Sequence, residues 1–430
     1  MLYFPPVAEV AQPTPAASRS FDLAGALALA KAENPLLRAA KARVEERQGL
    51  ITSTRADALP QVTVSSDFTR MRDVSMLSSN IGPLLSKSGI TAEQLTAPSN
   101  TYTAKAAVSQ PLFYWGKLGT AVKVARMGER EASLAYTTAE LDTLHGVAKA
   151  YIGVLAAQAD LEVIRTRLET AERFVTDVKN RLEAQTATEL DRLRAESEYL
   201  GVIPDNLQAQ ANYARAMELL DGQLALDPRT VLDLRDPGPP PETFAAAPSE
   251  RSEVAQFKQQ EEIYRANDQI IRTDLRPKFD FNAYYGYQAG QASDMFKEPF
   301  DTWRVNVSMR FPVFDGMRTS GKRAQNRAQL EQVTMARVDK ERAVAVETRS
   351  AERELQKAVA YHGAAKMAYD AALEALRNSR EAFDQGLITS LDLLTAERDE
   401  RVRASQRRRA ELVIWTALFD CRRSYGLPPL

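Results

Sequence analysis

Three groups of residues in this 430-residue chain have the types and spacing to do chemistry. The first is Gly316-Met-Arg-Thr-Ser-Gly321-Lys322-Arg323, which follows the phosphate-loop pattern up to its last position. Such a loop cradles phosphates with backbone N–H groups and a lysine, and its final Ser or Thr holds magnesium. Here that position is Arg323. The segment before the loop alternates in polarity and contains Pro312, unlike the buried parallel strand that such loops follow. The corresponding stretch in the first half, Gly116-Lys-Leu-Gly119-Thr, has no loop of this kind. The pattern reads as a strand-to-helix turn. The second group is a pair of acids, Asp191 and Asp392, at the fourth positions of Thr188-Glu-Leu-Asp191 and Thr389-Ser-Leu-Asp392, both of capping-box form. The third is His145, His362 and Cys421, the full complement of His and Cys. They stand on separate segments, too few for a transition-metal site or a Cys/His nucleophile. No enzyme, cofactor or metal is expected.

These residues sit in a chain that repeats itself, and a repeat governs the reading of everything else. Arg55-Ala-Asp57-Ala-Leu-Pro60 precedes one alternating run, and Arg272-Thr-Asp274-Leu-Arg-Pro277 precedes another. A second alternating run follows in each half, one ending Gln110-Pro111-Leu-Phe113, the other Phe311-Pro312-Val-Phe314. Each half then reaches a glycine, Gly116 or Gly316, and a very long helical pattern. Leu190-Asp191-Arg-Leu193-Arg-Ala195-Glu196 answers Leu391-Asp392-Leu-Leu394-Thr-Ala396-Glu397 near the far ends. The expected organisation is an extension over 1–20, a first repeat over 21–235, a proline-rich linker over 236–248 and a second repeat over 249–427. Strands are expected at about 60–70, 102–113, 278–288 and 302–313, and long hairpins at 118–226 and 317–425.

Side chains alternate faces along a strand, so each run shows what it faces. Val62, Val64 and Phe68 share a face in the first; Phe279 and Phe281 do so in the third; Trp303, Val305 and Val307 do so in the fourth. Lys105, Asp280, Arg304 and Arg310 lie on the opposite, polar faces. Runs of about ten residues cross a bilayer when tilted, and apolar-out, polar-in alternation marks a transmembrane barrel. The alternative is an antiparallel sheet with one face on a soluble core. Four strands cannot close a barrel, and lipid tolerates no open edge. A cyclic assembly resolves this, and three chains supply twelve strands.

From Val147 to Leu182 apolar residues recur at alternating steps of three and four, a heptad seam. In the second half Val344, Ala351, Ala358, Ala365 and Ala372 step by seven, as do Thr348, Leu355, His362, Tyr369, Leu376 and Phe383. Rods of this length run to about 100 Å and must pack on other rods, and a ring of them makes a tube. Pro204 is expected to kink the first return helix, and Asn34-Pro35 to break the opening helix in two. The chain has 44% hydrophobic residues, with no stretch of eighteen apolar ones. Its net charge of -1 lacks the electrostatic footprint of nucleic-acid binding. Arg407-Arg408-Arg409 reads as a solvated helix face, and Cys421 as a small packed residue.

Phe21-Asp-Leu-Ala24 through Ala32-Glu-Asn-Pro35-Leu-Leu, Ala58-Leu-Pro60 before a strand, Gln110-Pro111-Leu-Phe113, Phe311-Pro312-Val-Phe314-Asp-Gly316 and Gly386 through Ala396, in that order and spacing, resemble the markers of TolC-type outer-membrane factors. The resemblance spans roughly 20–427. It implies a mainly α chain with a transmembrane β part: a homotrimer with a twelve-stranded outer-membrane β-barrel, four strands per chain, continuing into a long α-helical periplasmic tunnel. It implies a passive exit duct of a Gram-negative tripartite efflux or type I secretion system. The partners it implies are a periplasmic adaptor and an inner-membrane pump of RND or ABC type, besides outer-membrane lipid. In this reading the polar strand residues face the lumen and the apolar ones face lipid. Family members constrict the tunnel tip with acids, and Asp191 and Asp392 match those positions; the other reading is that both simply favour a helix N-terminus. Gln185, Gly386, Ile388 and Thr395 complete the tip. Thr395 stands where a second acid is expected, Ile388 where an arginine is, and Gln185 where a glycine is, so an apolar closure fits better than a salt-bridged lock. An outer-membrane protein needs a signal segment, and residues 1–18 lack a basic n-region. The chain is therefore expected to be a mature or re-cloned form, or to carry a misassigned start. The alternative function is a periplasmic coiled-coil adaptor or scaffold, which predicts one hairpin and a compact β-domain.

Overall fold

The computed structural model describes residues 19–72, 87, 91, 97–226, 232–241, 249–385, 387–388 and 390–430. The element order is β1 (Arg19–Phe21), α1 (Leu23–Glu33), α2 (Pro35–Ala56), β2 (Gln61–Met71), β3 (Ser99–Phe113), α3 (Lys117–Glu183), α4 (Glu189–Leu224), β4 (Leu232–Leu234), α5 (Ser252–Arg272), β5 (Lys278–Ala289), β6 (Asp301–Arg310), α6 (Arg318–Asp384) and α7 (Ser390–Ser424). Helix–strand–strand–helix–helix thus occurs twice, with two hairpins and not one. Residues 1–18, most of the loop from Met71 to Thr101, the linker beyond Pro241, Gly386 and Thr389 lie outside the described residues.

The chain divides into two compact units. One comprises Met1–Val44, Ala132–Phe257 and Ala336–Leu430; the other Glu45–Glu131 and Lys258–Met335. The first holds the main core, where Val147, Tyr151, Ile152 and Val154 of α3 meet Leu220 and Leu224 of α4 and Leu412 and Phe419 of α7. The buried Tyr151 hydroxyl lies 2.6 Å from the Arg235 carbonyl and 3.0 Å from that of Phe21. It thereby pins the C-terminal ends of both strands of the parallel β1–β4 pair to α3. On α3 the seam positions Val147, Val154, Leu161, Ala171 and Val178 are all buried, as a heptad stripe requires. On α6, Ala351, Ala358 and Leu376 are buried, whereas Phe383 is 40% exposed. The last seam position therefore does not pack, because α6 ends one residue later. Asn34 separates α1 from α2, its Oδ1 accepting from Leu36 N–H at 2.9 Å, while Pro35 opens α2. Helix α4 continues through Pro204.

The second unit carries an antiparallel sheet ordered β2-β3-β5-β6. Its two hairpins share one register: Gln61 pairs with Ser109, and Lys278 with Arg310. The fourth strand is shorter than its sequence predicts. It ends at Arg310, and Phe311–Phe314 are not strand, although the repeat-equivalent Gln110–Phe113 belong to β3. Those residues hold strand form because β5 pairs with them, Gln110 opposite Phe281 and Phe113 opposite Phe279. β6 is an edge with no such neighbour.

Candidate functional site: an open sheet, a charged rim and two hairpin tips

The sheet exposes its apolar residues. Val62, Val64, Phe68, Trp303, Val305 and Val307 are each at least 58% exposed, whereas a soluble sheet would pack one such face on a core. Phe279 and Phe281 are half-buried among their neighbours. On the polar face, Lys105 and Arg304 both lie 5.7 Å from the Tyr284 ring centre, and Asp280 accepts the Tyr114 hydroxyl at 2.6 Å. Arg310 lies at the end of β6, opposite Lys278. At Gly286 the backbone of β5 lies against that of β3: a Cβ there would stand 2.2 Å from the Ala104 carbonyl oxygen.

The strand-to-helix turns form the charged rim. In the phosphate-loop look-alike, Gly316 and Met317 take left-handed φ of 67° and 68° before α6 begins. Asp315 then accepts from the Thr319 N–H at 2.8 Å and from its hydroxyl at 2.5 Å, which draws its carboxyl below the ordinary range. Two cations of the loop are paired: Lys322 reaches Asp274 at 3.0 Å and Arg323 reaches Asp268 at 3.3 Å. Asp274 also takes Lys117, the first residue of α3, at 2.7 Å. Burial pushes the Asp274 carboxyl up, but hydrogen bonds from the two lysines outweigh it and leave it below its ordinary value. One carboxylate thus staples the starts of both long helices to the lead-in of β5. The repeated Arg-x-Asp motif was the available signal for this residue, but its partners lie 157 and 48 positions away.

Each hairpin tip is built locally. Gln185 stands where a glycine is expected and takes the left-handed φ of 57° itself. The capping box at Thr188 is complete: Asp191 N–H donates to the Thr188 hydroxyl at 3.2 Å, and Asp191 Oδ2 accepts from Thr188 N–H at 3.0 Å and its hydroxyl at 2.6 Å. The hydroxyl bond first, and the backbone bond after it, lower the Asp191 carboxyl. Arg192 bridges Glu189 and Glu196, and Lys179 of α3 meets Glu196 at 3.4 Å. In the second hairpin Arg380 of α6 meets Glu397 of α7 at 3.2 Å. Asp392 and Thr395 lie exposed in the first turns of α7, and Ile388, half-buried, precedes it. Among the described residues, Gln185 and Asp191 make their hydrogen bonds within their own hairpin.

The basic cluster on α7 corrects the expectation of a solvated face. Arg408 pairs with Asp236 of the linker and with Glu411 at 3.0 Å, and the Arg407 guanidinium lies 4.6 Å from the Tyr369 ring centre. Trp415 adds a bond to the Gly238 carbonyl at 3.0 Å, so the described part of the linker is tied to α7. Cys421 is buried, and burial raises its thiol to about 11. A network the sequence did not announce joins Arg251, Glu253, Arg423, Asp142 and Glu347 at 2.6–2.9 Å.

This architecture has close relatives. Solved structures that superpose on it include the CmeC outer membrane channel of Campylobacter jejuni, with a TM-score of 0.78, 14% identity and 94% of this chain and 85% of that one covered. VceC from Vibrio cholerae gives a TM-score of 0.76 with 18% identity and 95% and 97% covered. In sequence, the chain is 22% identical to the outer membrane protein TolC of Vibrio cholerae over 86% of its own length and 82% of that protein's. It is 26% identical to the pyoverdine export outer membrane protein OpmQ of Pseudomonas aeruginosa over 69% of its length, spanning 62% of the relative. The family model described as outer membrane efflux protein matches residues 26–224 and 245–412. The chain belongs to the outer membrane efflux protein family.

Proposed function

We propose that this protein is a passive outer-membrane exit duct of a tripartite efflux or type I secretion system. Three copies pool their sheets into a twelve-stranded barrel, and their hairpins form a tunnel below it. The observation that carries this reading is the four-stranded sheet with an exposed apolar row and unpaired strands at both edges. Such a sheet suits hydrocarbon only when closed, because each unpaired N–H or C=O there costs several kcal/mol. The family membership and relatives named for export support the same reading.

In this duct Lys105, Asp280, Arg304 and Arg310 face the lumen, and Val62, Val64, Phe68, Phe279, Phe281, Trp303, Val305 and Val307 face lipid. A periplasmic adaptor and an RND- or ABC-type inner-membrane pump supply cargo and energy. At the closed end, three copies each of Asp191 and Asp392 encircle a narrow axis, which favours cations. Gln185, Gly386, Ile388 and Thr395 shape the rest of the constriction. The test is conductance of purified trimers in planar bilayers. Insertion with a small, cation-selective conductance is expected, rising several-fold when both aspartates are replaced by Ala. Trimers that insert and never conduct, even with both replacements, overturn the proposal.

A further inference from the structure

The internal repeat supplies a template for how the two open edges of the sheet could be paired. Resting on the trimeric reading above, we propose that β6 of one copy pairs antiparallel with β2 of the next in one defined register: Arg310 opposite the partner's Ser65, Ser308 opposite its Asp67, and Asn306 opposite its Thr69.

The derivation uses the internal repeat. Pro60 and Pro277 mark equivalent positions before β2 and β5, and Pro111 and Pro312 mark equivalent positions at the ends of β3 and β6. Gln61 then corresponds to Lys278, and Ser109 to Arg310. The equivalence is confirmed by pairing, since Gln61 lies opposite Ser109 and Lys278 opposite Arg310. Within one chain the two repeats join through β3 and β5, with Ser109 opposite Asn282 and Ala107 opposite Tyr284. Carrying that junction forward by one repeat turns Ser109 into Arg310, Asn282 into Ser65, Ala107 into Ser308 and Tyr284 into Asp67. The path from Gln61 through Ser109 and Asn282 arrives at the equivalent of Ser65, a stagger of four residues per repeat. A closed barrel requires such a stagger to recur regularly around the ring.

Three observations that played no part in the derivation agree with it. The first is the face of the sheet. A slip of one residue would set every apolar side chain against a polar face, but this register puts Val307 opposite Phe68, and both belong to the exposed apolar row. The second is charge. Arg310 and Asp67 make no ion pair among the described residues, and the register makes them diagonal neighbours across the seam, within reach of each other's long side chain. The third is the early end of β6. Carrying forward the pairs Gln110–Phe281 and Phe113–Phe279 places Phe311 opposite the partner's Val64, and Phe314 opposite its Val62. All four are exposed, from 50% for Phe311 to 82% for Val64. The segment the sequence marks as strand, and the single chain leaves unpaired, is the segment this partner strand would complete.

The test is disulfide trapping in the full-length protein with Cys421→Ala. Ser308→Cys with Asp67→Cys, Met309→Cys with Ser66→Cys, and Phe311→Cys with Val64→Cys are in register and sample both alternating pair geometries of an antiparallel ladder. Ser308→Cys with Ser65→Cys, and Ser308→Cys with Thr69→Cys, are shifted by two on the same face. In-register pairs should run mostly as covalent dimer and trimer on denaturing gels, with about ten-fold less from the shifted pairs, whose Cα separations approach or exceed the ~7 Å reach of a disulfide. Trimers by native mass spectrometry that cross-link preferentially at a shifted pair, or at none, overturn the register and leave the duct reading standing. A protein that inserts in detergent or lipid and never trimerises overturns both.

Discussion

Replacing Glu253 by Gln should weaken the first unit by about 2 kcal/mol at neutral pH, and the loss should fade in acid. Glu253 sits in the first turn of α5, where its Oε1 accepts from Arg251 at 2.7 Å and from Arg423 of α7 at 2.6 Å. Those arginine side chains are only 4% and 8% exposed, so neither can turn to water when the carboxylate is lost. Burial alone would raise the Glu253 carboxyl, but the two guanidinium bonds outweigh it and bring it from 4.5 to about 2. At about 1.4 kcal/mol per pK unit that shift corresponds to roughly 3 kcal/mol. Asp142 and Glu347 keep partial hold of the same arginines, which reduces the expected loss to about 2. A carboxylate whose folded pKa lies below its unfolded one stabilises above the unfolded value, and loses that contribution as pH falls through the folded value. The wild-type advantage should therefore be full above about pH 5, shrink between 4.5 and 2, and vanish below. Urea unfolding of the detergent-solubilised protein by far-UV circular dichroism at pH 7, 5 and 3 reads both quantities. A Glu253→Gln variant within about 0.5 kcal/mol of wild type at pH 7, or a gap that does not narrow in acid, would refute the reasoning.

Two further outcomes follow from the packing. Gly286→Ala puts a methyl 2.2 Å from the Ala104 carbonyl oxygen and 2.6 Å from the Lys105 Cα, both backbone atoms that cannot yield without opening the β3–β5 ladder. It should cost at least about 3 kcal/mol in urea unfolding of the second unit, whereas a variant that loses less than about 1 kcal/mol shows the ladder to be more pliable than described. Tyr151→Phe removes the hydroxyl that holds the Arg235 and Phe21 carbonyls while leaving the ring in the core. A loss of about 1 kcal/mol, with faster amide exchange confined to the β1–β4 pair, is the expected result.

How much was legible in the sequence depended on whether the cause was periodic. The heptad stripe of α3 and the alternation of β2, β3 and β5 are written every few residues, and the burial of Val147, Val154 and Leu161 follows it. Local caps were equally readable, since Thr188 and Asp191 are three residues apart and the bonds between them depend on nothing else. The ion networks were not. Arg423 lies 281 positions from Asp142, and Lys117 lies 157 from Asp274. No spacing rule connects residues that meet only because two long helices return to the same level. Arg408 shows the same limit, for a triple-arginine run looks solvated until the linker acid Asp236 is seen beside it. β6 departs from its sequence pattern in length and not in kind, because strand extent depends on neighbours as well as on pattern.

The two repeats are alike in backbone and unlike in the chemistry of their seams, and that difference bears on assembly. Asp274 closes the junction between repeats inside the chain with Lys117 and Lys322. Its equivalent, Asp57, is exposed and makes no ion pair among the described residues; by the alignment of Pro111 with Pro312, Arg318 is the counterpart of Lys117 and Ala121 that of Lys322. A junction that lies within one chain forms once, during folding, and a rigid ionic staple suits it. One duplicated unit thus carries its staple in two versions: two lysines on Asp274 within the chain and, at the equivalent place, Asp57 with Arg318 as the single cation that a neighbouring copy would have to bring to it.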